Sequence, residues 1–193
     1  MKETFSPQLT IYLVRHGEAE HNVRQILDSI AGDEVYALTP RGREQITAVA
    51  EAIALDGTPD AIISSPIPRT RETSAIIAKK IGIEKVLYDF RLRETDFGQW
   101  EGQPFLRFSE KYPSPEMRME TDGSDGLESL TDERDRCAEF LADLKEHYPG
   151  KRVVVVSHGD TLEQLHGLIV GESLAEATIG WSPHRGEMIK MKY

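Results

Sequence analysis

Two histidines and two arginines lie at, or just after, the ends of short segments whose composition predicts buried β-strands. They are Arg15, His16, Arg69 and His158. Guanidinium groups match tetrahedral oxyanions in shape and stay charged at any relevant pH. A neutral imidazole is a competent nucleophile toward phosphorus. These residue types together predict a site that binds a phosphate ester through arginine and attacks it with histidine.

Such chemistry also needs an acid for the departing oxygen. A carboxylic acid whose pKa is raised by burial can protonate a leaving alkoxide. The sequence offers four candidates, because Glu18 follows the first histidine closely and Glu94, Asp96 and Glu101 lie together further along the chain.

The predicted elements alternate between strands and helices. The apolar segments 9–14, 61–65, 86–88, 152–157 and 187–192 predict strands, the last at an edge. Helices are predicted from Thr39-Pro40 to Asp56 and over 69–81, 129–147 and 161–170. This alternation predicts an α/β fold, a three-layer α/β/α sandwich with a mainly parallel sheet and helices on both faces.

The order of elements also predicts where the chemistry lies. In parallel α/β sheets, ligands bind beyond the carboxyl ends of the strands. Turns with the sequences Arg15-His16-Gly17, Ser64-Ser65-Pro66 and Ser157-His158-Gly159 all follow strand ends. We therefore expect the three turns to converge on one rim of the sheet, with helix N-termini near Arg69 and Asp160 adding positive backbone dipoles.

One segment, 97–126, does not follow the alternation. It is rich in glycine and proline around a short helical stretch at 105–112, and it carries five aromatic residues that could be buried: Phe97, Trp100, Phe105, Phe108 and Tyr112. We interpret it as a cap-like excursion from a single domain, 1–193, that roofs the site. Within it, Arg107, Lys111 and Arg118 could hold a second anionic group, and Trp100 could stack on a sugar or belong to the core.

Four motifs in order resemble the histidine phosphatase superfamily, the group that includes cofactor-dependent phosphoglycerate mutase. They are Arg15-His16-Gly17-Glu18, Ser65-Pro66-x-x-Arg69-Thr70, Arg93-Glu94 before Phe97-Gly98-x-Trp100-Glu101-Gly102, and Ser157-His158-Gly159. The match runs from about Leu9 to Ile169, which is nearly the whole chain.

The resemblance implies a role for each matching residue. His16 corresponds to the phosphorylated nucleophile and Glu94 to the proton donor. Contacts to the substrate phosphate are implied for Arg15, Asn22, Arg69, His158 and Gly159. No metal and no cofactor is implied. Ala19 stands where many mutases place a small hydroxyl residue, a departure that bears on the mutase interpretation and not on phosphatase chemistry.

Composition limits the partners and the compartment. With 23 Lys and Arg against 33 Asp and Glu, the net charge of the 193-residue chain is −10, which disfavours nucleic acid and anionic membranes. The start of the chain has no signal-peptide pattern, no apolar run is long enough to span a bilayer, and the single cysteine is Cys137. We therefore expect a cytoplasmic protein with an unknown oligomeric state.

The function expected from the sequence is that of a histidine acid phosphatase-type phosphoric monoester hydrolase, in the phosphatase branch, acting on a small phosphorylated metabolite. The alternatives are a phosphoglycerate mutase-type phosphoryl transferase and a non-catalytic phosphate-binding protein. The stretch 95–157 is shorter than the insertion that shields phosphohistidine in mutases, which favours hydrolysis. We take Glu163-x-x-His166 as structural and His21, His147 and His184 as surface or satisfied histidines.

Overall fold

The fold is built on one twisted sheet, as seen in a computed structural model that describes residues 8–29, 36–119 and 121–193. In this part of the chain the strands are β1 (Thr10–Arg15), β2 (Ala61–Ser64), β3 (Leu87–Tyr88), β4 (Arg152–Ser157) and β5 (Met188–Lys192). Their order across the sheet is β3-β2-β4-β1-β5, and only β5 pairs in antiparallel fashion. The mainly parallel sheet with an edge strand at its end is confirmed.

The helices of the described ranges flank this sheet. They are α1 (Glu20–Arg24), α2 (Pro40–Asp56), α3 (Pro68–Ile81), α4 (Phe105–Lys111), α5 (Glu116–Met119), α6 (Leu130–His147), α7 (Gly159–Val170) and α8 (Leu174–Ile179). The four longest start and end within two residues of the prediction. Thr39 caps α2 by accepting from the Gly42 amide at 3.0 Å, with Pro40 at the first helical position.

Alternate side chains of the central strands point to opposite faces of the sheet and create two separate cores. Ile11, Leu13, Val153 and Val155 pack with the apolar faces of α6 and α7. Tyr12, Val14, Val154 and Val156 pack with α2 and α3. Every one of these strand residues is essentially inaccessible, as expected when both faces of a parallel sheet are covered. The three-layer α/β/α sandwich is therefore confirmed.

The excursion packs around its own small cluster. Phe97, Phe108 and Leu127 are buried there with Leu27 from the turn after α1, while Trp100 and Tyr112 are half-buried against them. Trp100 donates its ring N–H to the Asp125 carboxylate at 2.7 Å, which places the tryptophan in this cluster. The expectation for Phe105 was wrong, because its side chain is 56% exposed.

Three short helices of the described ranges, α1, α5 and α8, lie where no helix was predicted. They have five, four and six residues, which is too short for apolar periodicity to mark. A capping box between Ser173 and Glu176 opens α8 and is its clearest local signal. No helix in the described ranges is both long and apolar enough to cross a bilayer.

Candidate active site

Strand register brings the predicted turns together at one rim. β4 lies between β1 and β2, with Arg15 opposite Ser157 and Ser64 opposite Val156. The chain therefore leaves all three strands at the same level. His16 follows β1 at this level and His158 follows β4, and their imidazole centroids are 5.3 Å apart.

Arg69, in the first turn of α3, joins the two histidines. Its Nε–H donates to His16 Nε2 at 3.1 Å and its Nη2 donates to His158 Nδ1 at 2.9 Å. All three side chains are at most 1% exposed. The convergence of His16, Arg69 and His158 predicted from the sequence is thus present in the structure.

These contacts define the tautomers of both imidazoles. An arginine can only donate, so His16 Nε2 and His158 Nδ1 carry lone pairs. The remaining protons lie on His16 Nδ1, which donates to the Gly17 carbonyl at 2.8 Å, and on His158 Nε2, which donates to Ser65 Oγ at 2.8 Å. His16 therefore presents an unprotonated Nε2 beside Arg69.

Both imidazoles are held neutral. Burial lowers the pKa of His16 well below its usual value, and the positive charges of Arg69 and Arg15 lower it further. The pKa of His158 is lowered well below its usual value by burial first and then by Arg69. A neutral imidazole is the nucleophilic form, so this environment favours attack by His16.

Arg15 adds a second guanidinium to the rim. Its Nη1 donates to the Pro183 carbonyl at 2.7 Å, and its buried Nε has no hydrogen-bond partner among the described residues. A Cβ on Gly159 would lie 3.0 Å from Nη2 of this arginine, so glycine gives the guanidinium its space. Gly159 also begins α7, whose N-cap, His158, makes no side-chain capping bond within the described ranges. Arginine and exposed helix amides together suit a phosphate.

The anion that faces Arg69 was not foreseen. Asp28 accepts from Arg69 Nη1 through its carboxylate and from Nη2 through its carbonyl at 2.7 Å. Burial raises the pKa of Asp28 to about 6, against the lowering effect of Arg69. This ion pair explains why an arginine is tolerated beside the positive end of a helix. The pairing spans 41 residues of sequence, and no local spacing signals it.

Glu94 differs from the other three acid candidates. It is 8% exposed, and within the described ranges its Oε1 accepts a long hydrogen bond of 3.3 Å from the Thr95 amide. Burial raises its pKa, and the negative charge of Asp160 raises it further, against Arg15 and Arg69. A buried carboxyl of this kind can hold a proton near neutral pH.

The other carboxylates have structural partners. Glu101 accepts from the Ser29 hydroxyl at 2.7 Å, Glu18 accepts from the Thr39 hydroxyl at 2.8 Å, and Asp96 accepts from the Gly98 amide at 3.0 Å. These contacts hold loops in place and favour Glu94 as the acid.

Asn22 and His21 lie in α1, the short helix that follows the nucleophile. Asn22 Oδ1 accepts from the Ala19 amide at 3.0 Å, and Nδ2 donates to His21 Nε2 at 2.7 Å, so these contacts of the side chain stay within α1 and its N-cap residue. His21 was expected on the surface or satisfied, and this expectation was wrong. It is 6% exposed, its ring lies 5.8 Å from that of His16, and its Nδ1 has no partner among the described residues.

Two further arginines reach this end of the molecule. Arg118, from the excursion, forms an ion pair with Asp160. Arg185, in the loop before β5, lies near His21, and its positive charge helps to lower the pKa of that histidine. Arg118 is thus already neutralised, and Arg107 is exposed with its Nη1 3.5 Å from Gln103. One of the three cations expected to hold a second anion, Arg118, is therefore already paired with a carboxylate of the protein.

No three His, Cys, Asp or Glu side chains of the described ranges are grouped as metal ligands would be. In the Glu163-x-x-His166 pair, the His166 ring packs on Trp181 with centroids 4.9 Å apart, and its Nδ1 lies 3.8 Å from Glu172. These contacts agree with the structural interpretation of the pair.

Comparisons with known proteins agree with this geometry. Residues 11–185 match the family model of the histidine phosphatase superfamily (branch 1). The chain is 34% identical over 161 residues to phosphoglycerate mutase-like protein 4 of Arabidopsis thaliana, covering 81% of this chain and 69% of that protein. It is 35% identical over 167 residues to a protein of Salmonella typhi named "Probable phosphoglycerate mutase GpmB", covering 84% and 75%.

Solved structures show the same fold. A mycobacterial glucosyl-3-phosphoglycerate phosphatase in complex with VO3 superposes with a TM-score of 0.80 at 24% identity, over 94% of this chain and 91% of that one. At this identity the likeness establishes the fold alone. The family model covers most of the sequence, and the four motifs that suggested the resemblance lie within the matched residues. The chain therefore belongs to branch 1 of the histidine phosphatase superfamily.

Proposed function

We propose that the protein is a metal-independent phosphomonoesterase that acts on a small phosphorylated metabolite through a phosphohistidine on His16. The observation that carries this proposal is the state of His16. Its imidazole is neutral, its Nε2 is unprotonated, and a buried arginine donates a hydrogen bond to that same nitrogen. A nucleophile and an oxyanion-binding group therefore meet at one point.

The first step forms a P–N bond. The lone pair of His16 Nε2 attacks phosphorus while the bond from phosphorus to the ester oxygen breaks. The departing oxygen takes its proton from Glu94, so an alcohol leaves and Glu94 becomes a carboxylate. In the second step Glu94 accepts a proton from a water molecule, whose oxygen attacks phosphorus, and the P–N bond breaks. Inorganic phosphate leaves, and both residues return to their first states.

Positive charge for the phosphoryl oxygens comes from the protein itself in this proposal. Arg15 and Arg69 offer guanidinium donors, His158 lies beside them, and the N-terminus of α7 adds backbone amides. Fixed donors of this kind stabilise the charge that develops in the transition state. An anionic phosphoryl oxygen is a stronger acceptor than a neutral imidazole, so substrate draws the Arg69 donors to itself and releases the His16 lone pair.

A phosphoglycerate mutase is the second candidate, because two relatives of over 30% identity carry mutase names. A mutase returns the phosphoryl group from histidine to another hydroxyl of the substrate, whereas a phosphatase passes it to water. The short stretch between Thr95 and Ser157, compared with the insertion of mutases, favours access of water.

The test is turnover by the purified protein of p-nitrophenyl phosphate and a panel of sugar and glycerol phosphates, with excess chelator present. We expect release of inorganic phosphate that survives chelation and is lost in His16→Ala. Interconversion of 2- and 3-phosphoglycerate at a higher rate than phosphate release would replace the proposal with the mutase. Activity that chelation abolishes and magnesium or zinc restores would contradict metal independence, and no turnover of any substrate would support a binding protein.

A further inference from the structure

A chain of polar contacts links the excursion to the region of Glu94. Arg118, in helix α5 of the excursion, pairs with Oδ2 of Asp160, in the first turn of α7. The same Oδ2 lies 3.1 Å from the Thr95 hydroxyl, which also receives a hydrogen bond from Arg118 at 3.3 Å. The Asp160 carboxylate is thus fixed from two elements that are far apart in sequence.

Thr95 places this carboxylate next to Glu94. Its backbone amide donates to Glu94 Oε1 at 3.3 Å, and its hydroxyl contacts Asp160 on the other side. The hydroxyl also lies 2.8 Å from Glu133 Oε2, and the other oxygen of that carboxyl, Oε1, accepts from Arg136 and Thr161. Thr95 is fully buried, so the distance between the two carboxyl groups is set by well-packed structure.

Charges of both signs act on Glu94. They come from β1, α3, α5, α6 and α7, namely Arg15, Arg69, Arg118, Glu133, Asp160 and Glu163. The arginines favour the ionised form, which cannot donate a proton. Burial raises the pKa of Glu133 to about 7 and that of Glu163 to about 8, so these two groups are incompletely ionised at neutral pH. Asp160 is the acidic neighbour that keeps its negative charge.

Arg118 is the reason that Asp160 stays ionised. Burial alone would raise the pKa of Asp160, but the charge of Arg118 and the hydrogen bonds from Arg118 and Thr95 lower it. The Asp160 side chain is 26% exposed and that of Arg118 is 14% exposed, so solvent screens the pair only in part. A fixed negative charge therefore remains beside Glu94 near neutral pH.

We propose that Asp160 is a positioning residue for the acid step: its carboxylate, held by Arg118 and Thr95, keeps the proton on Glu94 until the leaving group takes it. The inference rests on the proposed function, because it assigns a role within that reaction. It also gives the excursion a part in the chemistry, since Arg118 is the residue through which the excursion reaches the site.

The experiment compares the pH dependence of kcat/KM in wild-type protein and Asp160→Asn, with an alkyl phosphate and with p-nitrophenyl phosphate. For the alkyl phosphate, activity falls at high pH as Glu94 loses its proton. Removing the charge of Asp160 makes Glu94 ionise earlier, so we expect this fall to move to lower pH by about one unit or more. With p-nitrophenyl phosphate, whose leaving group needs no proton, the high-pH side stays in place.

Asp160→Glu is the matched control, because it keeps the charge and lengthens the side chain by one methylene. We expect the activity of Asp160→Glu toward the alkyl phosphate to decline at the same high pH as that of the wild-type protein, even if its kcat is lower. If Asp160→Asn does not fold, Asp160→Ser serves the same purpose, since serine also removes the charge and has a smaller side chain.

The outcomes separate this inference from the proposed function. No phosphate release by the wild-type protein would contradict the proposed function itself. Hydrolysis that is weaker in Asp160→Asn but has an unmoved high-pH fall would make Asp160 a purely structural residue and overturn this inference alone. A fall that moves equally for both substrates would also overturn it, because the titrating group would then not be the acid.

Discussion

The two sides of the site shift the pKa values of their reactive groups in opposite directions. On one side is the cation cluster, formed by Arg15, His16, Arg69 and His158. On the other is the carboxylate cluster, formed by Glu94, Glu133, Asp160 and Glu163. Burial and the arginines lower the pKa of both histidines in the first cluster. Burial and neighbouring acids raise the pKa of Glu94 in the second.

The difference assigns the chemical roles. His16 and Glu94 are both kept neutral, but a neutral imidazole has a free lone pair and a neutral carboxyl has a proton to give. A nucleophile and an acid can therefore coexist near neutral pH within one buried site. One member of each cluster is also held by an ion pair with a residue outside it, Arg69 by Asp28 and Asp160 by Arg118.

The largest difference between the clusters is expected from a substitution in the carboxylate cluster, through its effect on turnover. Glu94→Gln should lower turnover of alkyl phosphates on the order of 10²–10⁴-fold, the usual scale of general acid catalysis. It should lower turnover of p-nitrophenyl phosphate far less, because nitrophenolate leaves without a proton. Steady-state rates with both substrates measure the ratio.

An equal loss with both substrates would show that Glu94 positions phosphate or supports the fold. Glu18, Asp96 and Glu101 would then be compared in the same way. Glu101→Gln is a useful control from the outset, because that carboxylate bonds Ser29 and should show no dependence on the leaving group.

A smaller effect is expected from the cation cluster. Arg69→Met should lower kcat/KM on the order of 10²–10³-fold for both substrates alike, as loss of a transition-state donor does. It should also lower the free energy of unfolding by as much as about 3–5 kcal/mol, because Asp28 loses the partner of a buried ion pair. Denaturant unfolding and kinetics measure the two losses separately.

The double variant Asp28→Asn with Arg69→Met distinguishes the two roles of Arg69. With the carboxylate charge also removed, we expect most of the lost stability to return while activity stays low. Recovery of activity in the double variant would contradict a direct role of Arg69 with the phosphate.

Local patterns were sufficient for the fold and for part of the site. Apolar segments marked the strands, and Thr39-Pro40 marked the start of α2. The strand-end rule placed His16, Arg69 and His158 together, since their positions follow from the sheet. A short helix such as α8 has too few turns for a periodic signal.

Contacts between distant segments could not be predicted in this way. The partner of Arg69 is 41 residues away and that of Arg118 is 42 residues away, and any acid in the chain would have been an equal candidate. His21 was misjudged for the same reason, because its burial and its ring's 5.8 Å distance from the His16 ring depend on where the fold places α1.

Chemical trapping of the intermediate tests the central claim most directly. Rapid quench of the enzyme with labelled p-nitrophenyl phosphate should leave label on the protein that is stable in base and lost in acid, as expected for a P–N bond. Peptide mapping should place the label on His16, Glu94→Gln should still form it, and His16→Ala should form none and have no turnover. Acid-stable label, label on another residue, or full activity in His16→Ala would contradict the account.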